Sequence, residues 1–173
     1  MLSDNNMKTI LEAISLEMIR LDEFHYPEEQ LQSKWFGNEP ATTDAIQQAE
    51  ERLQVTLPED YKEFLAIANG FHAFSDIEPT FHTVAYIDYL KNKDAELIQI
   101  WKETGNEDIA HVLTQSILIA GFEEEQQFLI IPPSEENKHW RYWKFASWFP
   151  GEEPFDNLED YFENALEFLN ETE

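Results

Sequence analysis

The sequence predicts an α+β domain: helices first, strands later, and a closing helix. Three observations carry this prediction. Apolar residues recur at helical spacing in three separate stretches of the first seventy residues. The period then shortens in SILIAGF (116–122) and QFLIIPP (127–133), which are β-branched and bounded by turns. Helical spacing returns after Asn157.

Met7, Ile10, Leu11, Ile14, Met18 and Leu21 predict an amphipathic helix over about residues 6–24. A polar, proline-containing stretch from His25 to Ser33 reads as a loop, followed by Trp35-Phe36 and a turn at Gly37-Asn38. Thr42, Thr43 and Asp44 are candidate caps for a second helix with Ile46, Ala49 and Leu53 inward. LPEDYKEFLAIANGF (57–71) is the most legible stretch. Pro58 suits a first turn, where its missing N–H breaks no bond. Glu59 and Asp60 complement the helix dipole, and Tyr61, Phe64, Leu65 and Ala68 share one face. Asn69-Gly70 is read as the stop, glycine supplying a left-handed cap.

Residues 71–83 have no clear period. Ile87, Leu90, Leu97, Ile98 and Trp101 predict broken helical structure ending near Gly105-Asn106, and a short helix follows over 108–114. The two strands come next, joined through Glu123, Glu124 and Glu125 as an acidic hairpin tip. HWRYWKFASWF (139–149) is a third, aromatic strand region closed by Pro150-Gly151. Asp156 or Asn157 caps the last helix, with Leu158, Phe162, Ala165 and Leu169 inward.

Composition narrows the function classes. The 173 residues hold 36 Asp and Glu against 11 Lys and Arg, a formal charge of -25. Such a field repels phosphate backbones and anionic lipid, so neither nucleic acid nor membrane is an expected partner. It attracts a basic protein or a cation, although charge this high also serves solubility alone. With 42% hydrophobic residues there is material for a core. The absence of cysteine excludes disulfides, thiol catalysis and cysteine metal centres. MLSDNNMKTI lacks a basic segment followed by an apolar core, and no apolar run approaches a membrane span, so a cytoplasmic protein is expected.

No catalytic or metal constellation stands out. Glu50-Glu51, Glu135-Glu136 and Glu152-Glu153 could be drawn as hydrolase carboxylate pairs, but a solvated acidic face is the favoured reading. The five histidines (25, 72, 82, 111, 139) show no ligand spacing, so no metal and no cofactor are expected. Lys138, Arg141 and Lys144 interleave with Trp140, Tyr142, Trp143, Phe145 and Trp148, a pattern that on a basic protein would suggest base stacking. In this field the aromatics read as core. The C-terminal segment carries Glu152, Glu153, Asp156, Glu159, Asp160, Glu163, Glu167, Glu171 and Glu173 with no Lys or Arg, an ordered acidic face.

Two passages together resemble the SUKH superfamily, the Smi/Knr-like proteins. One runs from Glu50 and Leu53 through Leu57, Pro58, Asp60, Tyr61, Phe64, Leu65, Asn69 and Gly70. The other is WRYWKFASWFPGEEPFDNLEDYF, with Trp140, Trp143, Phe145, Ala146, Trp148, Pro150, Gly151, Phe155 and Leu158 at matching positions. Phe71 stands where many members carry a second small residue, and 86–115 matches no part of the pattern. The resemblance implies mostly antiparallel strands packed with helices: a domain over residues 35–173 with a helical extension over 1–34 packed on it. It implies no catalytic residues.

Bacterial members look chiefly like immunity proteins that neutralise a cognate toxin, often a nuclease; fungal relatives act as interaction hubs in cell-wall regulation. The expectation is a non-enzymatic immunity protein for a basic toxin. Glu123, Glu124, Glu125, Glu152, Glu153 and Asp156 are its candidate binding residues. A regulatory scaffold and a carboxylate-dependent carbohydrate hydrolase are the alternatives.

Overall fold

The helical spacing at the start of the chain becomes α1, Asp4–Leu21, which buries Met7, Ile10, Leu11, Ile14 and Met18. The computed structural model describes residues 4–146 and 152–173, with side chains from residue 6 onward. A helix absent from the sequence reading follows: α2, Glu28–Ser33, begins after Pro27. None of its residues is buried, so it has no apolar stripe for periodicity to detect. α3, Thr43–Leu53, is capped by Thr42, whose hydroxyl accepts the Ala45 N–H at 3.1 Å. α4, Glu59–Ile67, follows Pro58 and buries Tyr61, Phe64 and Leu65.

The end of α4 differs from expectation. Ala68 leaves the helix in extended conformation, and Gly70 (φ 98°) serves the next turn instead. A Cβ there would stand 2.6 Å from the Phe81 carbonyl oxygen, so the chain crossing needs glycine. The Asn69 side chain is used further on, where its oxygen accepts the Val84 N–H at 2.7 Å.

Residues 71–87 stay irregular, tied down by the bridges Gly37↔Phe71, Phe71↔Phe81 and Phe81↔Ala120. β1 (Asp88–Tyr89) and the short helices α5 (Leu90–Lys93), α6 (Ala95–Glu103) and α7 (Glu107–Gln115) come next. β2 (Ile117–Ala120), β3 (Gln126–Ile131) and β4 (Arg141–Ala146) match the three predicted strand regions. β5, Glu152–Phe155, shows in the sequence only as part of an acidic run; its EEPF sequence has no apolar alternation, and pairing with β4 makes it a strand. α8, Leu158–Glu171, closes the fold, with Asn157 accepting the Asp160 N–H.

The five strands run antiparallel in the order β1-β2-β3-β4-β5. Helices cover both faces. Ile117, Ile119, Phe128, Ile130 and Tyr142 join a core with α1, α3, α4 and α8. Leu118, Leu129, Ile131, Trp143 and Phe145 point the other way, into a second core with Leu97, Trp101, Ala110 and Leu113 of α6 and α7. Burial on both faces explains why SILIAGF and QFLIIPP are continuous apolar runs. α1 runs alongside α8 in the same direction: Asn6 meets Glu163, and Arg20 donates to the carbonyls of Leu169 and Thr172 at 2.8 and 2.9 Å. The chain is therefore a single α+β domain, a five-stranded antiparallel sheet packed with helices plus an N-terminal helix.

Candidate functional site

The residues that form the sequence signature are engaged in holding the fold. Leu57, Tyr61, Phe64 and Leu65 are buried, and Phe64 stacks on Phe162 at 5.4 Å. Glu50 accepts the Leu57 N–H at 3.1 Å and faces the Lys62 ammonium at 3.4 Å. Trp143 and Phe145 lie in the second core, Phe145 against Trp101, and Trp140 packs half-buried on the first. Trp148, Pro150 and Gly151 lie outside the described residues.

Strand register decides which acidic residues meet. Gln126 pairs with Ala146 and Phe145 with Glu152, so the hairpin tip and the start of β5 share one end of the sheet. Glu123, Glu124, Glu125 and Glu153 are exposed there, and Glu152 is half-buried. The tip is built tightly. Gly121 takes φ 83°, and a Cβ on it would stand 1.9 Å from the Gln126 carbonyl oxygen. His82 supports the tip from below: its Nε2 accepts the Phe122 N–H at 3.0 Å, and burial lowers its pKa. Glu124 is partly committed, accepting the Thr80 N–H at 2.8 Å. Asp156 is not brought to this end. It lies beyond Phe155, at the opposite end of β5, where it and Glu163 add to the burial that raises the Asp160 pKa.

Between this end of the sheet, the 74–78 segment and α8 lies an open cleft of about 290 Å³. Lys144 crosses it, its ammonium 3.0 Å from Glu78 Oε1 and 3.2 Å from Glu153 Oε2. The other oxygen of Glu78 accepts the Tyr161 hydroxyl at 2.7 Å. Burial first, and then the charges of Glu78, Glu153 and Glu124, push the Tyr161 phenol far above its usual range. Tyr161 therefore remains a proton donor at any ordinary pH, with Glu78 as its acceptor. Phe74 and Phe155 line the apolar side, with Ile77 and Phe168 exposed beside them.

Glu78, Lys144 and Tyr161 escaped the sequence reading. They stand 66 and 83 positions apart, in an irregular segment, a strand and a helix, and no local pattern links them. Among the described residues, no group of three or more His, Asp or Glu side chains is arranged to hold a metal. None of the described helices is long and apolar enough to cross a membrane. The two carboxylates of the cleft, Glu78 and Glu153, are bridged by the Lys144 ammonium.

The model of the SMI1/KNR4 family (SUKH-1) matches residues 40–171, most of the chain. No curated protein matches it.

Proposed function

The chain belongs to the SMI1/KNR4 (SUKH-1) family, and from that premise we propose that it is a non-enzymatic immunity protein, which binds a basic protein toxin in the bacterial cytoplasm and blocks it. The observation that carries this reading is the placing of Glu78 and Glu153 in one amphipathic cleft beside the acidic hairpin tip, in a chain whose formal charge is -25. A nuclease must present positive surface to hold a phosphate backbone, so an acidic inhibitor is complementary to it. Glu123, Glu125 and Glu152 extend the same acidic end, and Asp156 forms an outer patch. No cofactor enters this function.

The test is direct. The product of the open reading frame beside this gene is purified, its toxicity assayed with added chain, and binding measured across ionic strength. The expected result is stoichiometric inhibition, with affinity falling roughly tenfold or more between about 50 and 300 mM salt. Affinity indifferent to salt overturns the electrostatic part of the proposal. Absence of inhibition, together with capture of cell-wall enzymes from the host, overturns the immunity role in favour of a regulatory scaffold.

A further inference from the structure

We infer that the cleft beside Lys144 is an anchor pocket for a single arginine side chain of the partner. This rests on the reading of the chain as a binder of basic protein. The chemistry of the cleft carries it. Both oxygens of Glu78 are occupied, one by Lys144 and one by Tyr161, so Glu78 fixes Lys144 against the wall. Lys144 is only 16% exposed, whereas the Glu153 side chain is 59% exposed and meets Lys144 through Oε2 alone among the described contacts. Gln126 also lines the cleft, and its buried Oε1 has no donor among the described residues. One accessible acceptor thus remains, the second oxygen of Glu153, next to carboxylate charge exceeding that of Lys144.

A ligand that completes this site must be cationic, rich in donors and able to lie on apolar surface. Guanidinium meets all three conditions: it is always charged, carries five N–H groups in a planar fork and stacks on aromatic rings. Its three-carbon stem would lie along Phe168, 57% exposed, and Ile77, 44% exposed. An ammonium is a more strongly hydrated point charge, and stacking gains it less. The structure thereby assigns Glu153 as the charge partner and Phe168 as the stacking platform.

The test needs no toxin. The full chain is titrated with N-acetyl-arginine methylamide while backbone amide shifts are followed by NMR, with the citrulline and lysine analogues as controls. Saturable shifts at Gln126, Lys144, Glu153 and Phe168 are expected, with half-saturation on the order of millimolar. Citrulline should leave them unmoved, and E153Q or F168A should weaken arginine binding at least about fivefold. Both side chains are exposed enough for the variants to fold, which their unchanged spectra elsewhere would verify. The proposal is overturned if arginine shifts no cleft residue, if citrulline matches it, or if lysine binds as tightly. Toxin neutralisation without arginine binding sinks the pocket and spares the immunity reading. Arginine binding without a neutralised toxin does the reverse.

Discussion

Asp60 accepts the Leu158 backbone N–H at 2.9 Å, although the two residues lie 98 positions apart. Its other oxygen accepts the Tyr142 hydroxyl, whose pKa is raised by burial and then by this carboxylate. One side chain in the first turn of α4 thus clamps β4 and places negative charge at the N-terminus of α8. Asp60→Ala should leave a buried hydroxyl and a helix N–H unpaired, destabilising the chain by about 3 kcal/mol. Tyr142→Phe should lose about 1 kcal/mol. Urea unfolding of both variants and the double variant checks this; strictly additive losses would contradict a shared clamp.

Arg20 supplies what α8 lacks. The last turn of α8 has no basic residue, yet the Leu169 and Thr172 carbonyls both receive the Arg20 guanidinium. Arg20→Ala should destabilise by about 1–2 kcal/mol and speed amide exchange in the final turn of α8. Unchanged exchange there would mean the contact is energetically idle.

Tyr61 offers the opposite sign. It is fully buried, its hydroxyl has no partner among the described residues, and burial alone pushes its pKa up. Removing that hydroxyl lifts a desolvation penalty, so Tyr61→Phe should stabilise by about 1 kcal/mol and raise Tm by a few degrees. A lower melting temperature would show that the hydroxyl does have a role.

The pH dependence should centre on His82. Burial lowers its pKa below 6.5; Glu124 opposes this and Lys93 adds to it. The ring lies against Tyr86, over which the Lys93 ammonium sits at 3.6 Å. Only neutral His82 can accept the Phe122 N–H. Its contribution is therefore complete above 6.5, the unfolded value, and is lost as pH falls through the lower folded value. The stability advantage of the chain over His82→Gln should shrink as pH falls below about 6.5, with faster Phe122 amide exchange at the acid end. An advantage constant with pH would remove His82 from the account.

Much of the fold was legible because local rules and burial agreed. α4 carries its proline start, acidic first turn and buried face within nine residues, and β2 and β3 announce themselves as apolar runs. α2 and β5 were illegible for one reason: neither carries an apolar pattern of its own, the first lying on the surface and the second depending on β4 for its form. The stop of α4 was misplaced because Asn69 and Gly70 answer to Val84 and Phe81, partners far along the chain.

The candidate site divides in the same way. The sequence alone determined the charge, the acidic tip at Glu123, Glu124 and Glu125, and the family signature, since these are properties of composition and short spacing. Only the tertiary structure decided that Glu153 belongs with the tip while Asp156 does not, and that Glu78, Lys144 and Tyr161 complete the cleft. The physical reason is register. Antiparallel pairing sets which end of a strand meets which, and that choice is fixed by two buried faces acting together rather than by any local stretch.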